Sequence, residues 1–123
     1  MQIVREKASE WNINPNKIGI MGFSAGGHLA STAATHFNKA YIENPKQTSL
    51  RPNFAILVYP VISFLDSLAH FGSRTALIGK NPSEENIKLF SNELQVTPQP
   101  PPTFLIQAED DKTVSVKNSI VFF

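Results

Sequence analysis

Cysteine is absent from the 123 residues. Disulfides, thiolate metal sites and a cysteine nucleophile are therefore all excluded. Charge of one sign is lacking as well: 11 basic against 10 acidic residues leave a net charge of +1. That balance gives no electrostatic reason to expect a nucleic-acid or anionic-membrane partner. No apolar run approaches the roughly 18 residues that a bilayer span requires. The first ten residues lack a signal-peptide pattern, because Arg5, Glu6, Lys7 and Glu10 interrupt any apolar core. The length allows one domain at most.

What is present centres on Gly22-Phe23-Ser24-Ala25-Gly26. This is the G-x-S-x-G spacing of a nucleophile elbow, a sharp turn between strand and helix that lifts a serine hydroxyl above a sheet. Glycine is expected at 22 and 26 because a side chain at either position would crowd the neighbouring backbone. Lys17-Ile18-Gly19-Ile20-Met21 leads in as a nearly continuous apolar run, the pattern of a strand buried on both faces. Ala-rich sequence follows, and a helix is predicted from Ala25 to about His36.

Two further apolar runs read as strands, Phe54 to Tyr59, stopped by Pro60, and Thr103 to Gln107. Ile3, Val4, Ala8 and Trp11 fall at helical spacing near the start. Val61 to Gly79 is irregular, with weak helical character around Arg74 to Leu77. Asn81-Pro82-Ser83-Glu84 is a helix-start signal. Thr97 to Pro102 is a proline-rich extended connector, and Val114 to Val121 carries a helical pattern. Strands alternating with helices predict an α/β fold with a parallel sheet of about three strands. Strands this apolar expect pairing on both edges and helices on both faces, which three strands cannot supply.

A serine hydroxyl needs a base, usually a histidine oriented by a carboxylate. In chain order serine, acid, histidine, the acid belongs on a loop after a later strand. Asp110 and Asp111 stand there, immediately beyond the third strand. His28 lies one helical turn below the elbow and reads as a packed or capping histidine. His36 is farther along the same helix, and His70 falls in the irregular segment, where it would touch substrate from a cap.

The stretch Asn12 to Ala30 resembles the elbow region of the α/β-hydrolase superfamily. It is most similar to the acetyl-esterase and carboxylesterase branch found beside xylan-degrading enzymes. Gln107 to Val114 resembles that family's acid loop, H-G-x-x-D-x-x-V-P, with Gln107 where histidine is common and Ser115 where proline is common. Aligning Val114 with the family's valine places the acid at Asp111. The resemblance implies a serine ester hydrolase for acetyl or short acyl groups on carbohydrate, with no metal or organic cofactor. It assigns Ser24 as nucleophile, Asp111 as acid and Ala25 N–H as one oxyanion donor. The family's histidine and its glycine-rich second oxyanion loop have no counterpart in the 123 residues. The expectation is a partial domain, resembling the fifth to seventh strands of an eight-stranded fold and cut at both ends. Two other readings stand beside it: a prolyl-oligopeptidase-type serine peptidase, and a non-catalytic hydrolase-fold binding module.

Overall fold

Three short apolar segments pair in parallel in the computed structural model, which describes residues 1–123. They are β1 (Ile20–Phe23), β2 (Ala55–Val58) and β3 (Thr103–Ile106), in spatial order β1-β2-β3. The register is level. Phe23 pairs with Val58, and Val58 with Ile106, so the three strands end at the same height.

Helix α1 (Gln2–Glu6) precedes β1, and α2 (Ser24–Thr35) leaves it without an intervening loop. Between β2 and β3 lie α3 (Phe71–Ile78), α4 (Glu84–Leu89) and a 3-10 turn, Asn92–Gln95. Helix α5 (Lys117–Phe122) closes the chain. Strand existence and parallel pairing follow the sequence reading; the boundaries move. β1 begins at Ile20 and absorbs Gly22 and Phe23 of the elbow motif.

Alternation sorts the strands into two faces. Ala55 and Leu57, with Ile20 and Leu105, point to α2 and pack with Ala30, Ala34, Ile62 and Phe122. Alanines at 30 and 34 let the helix approach the sheet closely. Burying Leu57 and Ile62 contributes roughly 1.5–3 kcal/mol each. A second cluster of Val61, Phe64 and Val114, flanked by Ile78, Ile87 and Phe90, anchors the excursion between β2 and β3.

The opposite face is uncovered. Met21, Phe23, Phe104 and Ile106 are exposed there, with Phe104 at 62%, and Ile56 and Val58 are half-buried between them. The double-sided burial expected for these strands is thus met on one face only. β1 and β3 each pair along a single edge.

Buried amides fix the connections. Asn118 Oδ1 accepts the N–H groups of Ile62 and Ser63 at 2.9 and 3.0 Å. Asn92 Nδ2 donates to Ser31 Oγ at 2.7 Å and to Thr32 Oγ1 at 3.0 Å. Ser83 caps α4 by accepting the Asn86 N–H, with Glu84 and Glu85 in the first turn and Lys88 in the last. Pro82 lies just before this cap. The helix read across the first eleven residues stops at Glu6, and Trp11 lies exposed in a run of turns.

Candidate active site

At the junction of β1 and α2 the backbone changes from extended at Phe23 (φ −118°, ψ 139°) to φ 50° at Ser24. A left-handed conformation costs an L-residue roughly 1–2 kcal/mol, so the surrounding contacts must impose it. A Cβ on Gly22 would stand 2.1 Å from the Gly26 carbonyl oxygen and 2.9 Å from Ala30 Cβ. Glycine at 22 is therefore obligatory, as the sequence reading held. Gly26 differs. A Cβ there meets nothing within 4 Å, so crowding does not explain it. The tight position is Gly27, where a Cβ would lie 2.7 Å from Pro60 Cβ and 2.8 Å from Pro60 Cα. The second steric requirement of the turn sits one residue later than expected.

Ser24 is half-buried, and Ala25 after it is exposed. Phe23 occupies the N-cap of α2 and offers no capping side chain. First-turn N–H groups, that of Ala25 among them, have no acceptor one turn earlier in the helix.

The acid loop leaves β3 at the same edge of the sheet. Asp111 Oδ1 accepts the N–H groups of Thr113 at 2.8 Å and Val114 at 3.0 Å. These bonds, Val114's first and then Thr113's, hold the carboxyl below its ordinary range against a smaller effect of burial, and the Gln107 side chain adds to the lowering. Oδ2 takes neither backbone bond, which leaves it for another donor. Asp110 is exposed. With β2 between them, the ends of β1 and β3 stand two strand spacings apart, about 10 Å.

Tyr59 fills the interval at the end of β2. It too has positive φ, 37°, and its ring lies 5.9 Å from that of Phe23. Its N–H donates to the Ile106 carbonyl at 2.6 Å. Sequence reading assigns Tyr59 no role, because a tyrosine before a proline at a strand end carries no distinctive pattern.

Each histidine is engaged elsewhere. His28 is buried, stacks on Phe64 with ring centroids 4.4 Å apart, and donates from Nε2 to the Phe90 carbonyl at 2.8 Å. That partner can only accept, so Nε2 carries the proton. Burial pushes its pKa below the ordinary value, the Phe90 bond opposes this, and His36 adds a little to the lowering. The packed reading of His28 is the observed one. His36 contacts Thr35 Oγ1 and the Leu89 carbonyl. His70 Nδ1 accepts the Ser73 N–H at 3.2 Å and caps α3, a complete helix where the sequence showed only weak helical character.

A cavity of about 540 Å³ opens between α2 and α3, walled by Ala25, His28, Leu29, His70, Leu77 and Phe90. It begins at the residue after the serine. No group of three histidine, aspartate or glutamate side chains converges as metal ligands would.

A family model described as BD-FAE matches residues 1–123. The chain is 41% identical over 126 residues to an acetylxylan esterase of Xylanibacter ruminicola, covering 99% of this chain and 24% of that protein. It is 40% identical over 124 residues to endo-1,4-beta-xylanase B of Butyrivibrio fibrisolvens, covering 99% of this chain and 19% of that protein. Among solved structures, the acetyl ester-xyloside bifunctional hydrolase of Caldicellulosiruptor lactoaceticus superposes with a TM-score of 0.90 at 44% identity. The match covers 98% of this chain and 45% of that one.

Proposed function

This chain belongs to the BD-FAE family of the α/β-hydrolase superfamily, and from that premise we propose that it carries the nucleophile and the acid of a serine ester hydrolase. The substrates proposed are acetyl or other short acyl esters on carbohydrate. The likeness to an acetylxylan esterase and to an acetyl ester-xyloside hydrolase supports that class. The chain spans about a quarter or less of the curated relatives and under half of the solved structure, so the reaction belongs to a larger assembly of residues than these.

In this reading Ser24 Oγ attacks the ester carbonyl while a histidine removes its proton. Ala25 N–H donates to the developing oxyanion, and Asp111 holds the imidazole in the tautomer that accepts the serine proton. The histidine comes from outside residues 1–123, as does a second oxyanion donor. Asp111 Oδ2 is the oxygen left to take the imidazole N–H. Collapse of the tetrahedral intermediate expels the sugar oxygen, which takes the imidazolium proton and leaves as the free hydroxyl. Water then hydrolyses the acyl-serine by the same path in reverse.

One observation carries the proposal. A strained serine at the start of a 12-residue helix shares a sheet edge with a carboxylate fixed through one oxygen only. The test is covalent labelling of the full-length protein by a fluorophosphonate, expected at Ser24 and lost in Ser24→Ala. Equal labelling of both proteins would return the non-catalytic binding reading.

A further inference from the structure

Gln107 follows β3 directly and precedes the acid by four residues. Its amide is tied at both ends. Nε2 donates to the Val114 carbonyl at 2.6 Å, and Oε1 accepts the Ser119 hydroxyl at 2.6 Å. The Val114 carbonyl can only accept, which fixes the orientation of the amide without appeal to any other contact. Val114 is also the residue whose N–H reaches Asp111 Oδ1. The two bonds act on adjacent groups. Gln107 holds the carbonyl of Val114, the N–H of Val114 holds the carboxylate, and Val114 itself is buried with Val61 and Phe64. Ser119, from the first turns of α5, completes the brace and is buried.

We propose that Gln107 is a positioning residue for the acid: clamped between Ser119 and Val114, it sets the turn that presents Asp111 to the catalytic histidine. This rests on the reading of Asp111 as the triad acid. An acid loop of exposed, mostly polar residues (Ala108, Glu109, Asp110, Lys112, Thr113) has little packing of its own to hold its shape. The clamp supplies that shape from the strand side. Because an amide does not titrate, the brace holds equally well at all working pH values. The lowered pKa of Asp111, to which Gln107 contributes, is consistent with this geometry.

The experiment uses the full-length protein, steady-state hydrolysis of p-nitrophenyl acetate, and 13C NMR titration of the Asp111 carboxyl. Gln107→Ala is expected to lower kcat about tenfold with KM changed less than about twofold, the pattern of an interaction that matters in the transition state. It is also expected to move the Asp111 titration upward. Ser119→Ala, a smaller change, shifts both readouts in the same direction by a lesser amount. Gln107→His keeps an N–H for the Val114 carbonyl and restores kcat to within about threefold of wild type. Wild-type kcat together with a wild-type Asp111 titration in Gln107→Ala would overturn the proposal. If Asp111→Asn kept wild-type turnover, the acid assignment would fall instead, and the carboxyl titration would still decide whether Gln107 holds Asp111.

Discussion

The Val61 N–H donates to the Ser24 carbonyl at 3.1 Å, joining the strained serine to the chain leaving β2. The turn is therefore held from two sides. Gly22 admits the Gly26 carbonyl beneath it, and Val61 takes the carbonyl that the left-handed φ turns outward.

Ser24→Gly should abolish turnover and fluorophosphonate labelling yet raise the unfolding free energy by up to about 1 kcal/mol, since glycine adopts positive φ without steric penalty. Ser24→Ala should abolish both activities and keep the strain. Urea unfolding of the three proteins measures the difference. A Ser24→Gly variant less stable than Ser24→Ala would mean that the surroundings do not impose the conformation.

The glycines separate cleanly. Gly22→Ala drives a methyl into the Gly26 carbonyl and should cost about 3 kcal/mol. Gly27→Ala, facing Pro60, should cost nearly as much. Gly26→Ala enters open space inside a helix and should stabilise by roughly 0.5–1 kcal/mol. Thermal melts of the three variants rank them. A destabilised Gly26→Ala protein would contradict the steric account.

Only one member of the acidic pair should matter for turnover. On the proposed reading, Asp111→Asn removes the charge that would orient and stabilise the imidazolium, and kcat should fall about 10³–10⁴-fold. Asp110→Asn, at an exposed position, should change it less than about twofold. Equal losses in both would move the acid assignment away from the hydrogen-bonded carboxylate.

Acid should weaken the fold through His28. Its folded pKa lies below the ordinary value because the ring is buried, so the unfolded chain binds the proton first. Stability is full above about pH 6.5 and is lost as pH falls from there through the folded pKa. His28→Gln retains a donor for the Phe90 carbonyl and does not titrate. Its unfolding free energy should therefore fall less steeply between about pH 6.5 and pH 5. Parallel slopes in the two proteins would remove His28 as the cause.

The uncovered sheet face makes a prediction for the 123-residue polypeptide expressed alone. Met21, Phe23, Phe104 and Ile106 form an exposed apolar surface beside open strand edges, so it should self-associate and show no esterase turnover. Phe104→Lys should raise the monomeric fraction seen by size-exclusion chromatography. A monomeric, cooperatively melting wild-type polypeptide would contradict this.

Much of this arrangement could be read in advance, and the reasons differ by residue. Ile20, Leu57 and Leu105 lie in apolar runs bounded by turn residues, so the strands and their parallel pairing were legible. Ser24 and Gly22 were legible because strain at a strand–helix turn leaves a spaced motif. Helix α3 was only half visible: its cap is His70, outside the usual capping residues, and its apolar residues keep no clear period. Gly27 escaped notice because its constraint comes from Pro60, far along the chain. The roles of Asn92, Asn118 and Gln107 depend on partners 12 to 64 residues away in most of their bonds, and a single polar residue announces no such partner.

The level ends of β1, β2 and β3 bear on how such a protein can change. Both Ser24 and the acid loop hang from ladders shared with β2, so their separation is set by hydrogen bonds inside the sheet. The excursion carrying α3 and α4 starts and finishes on that same framework without contributing to it. Insertions or deletions there would reshape the chamber beside Ala25 while leaving the spacing of Ser24 and Asp111 untouched. In the proposed hydrolase, substrate preference and chemical competence can thus drift independently along one chain.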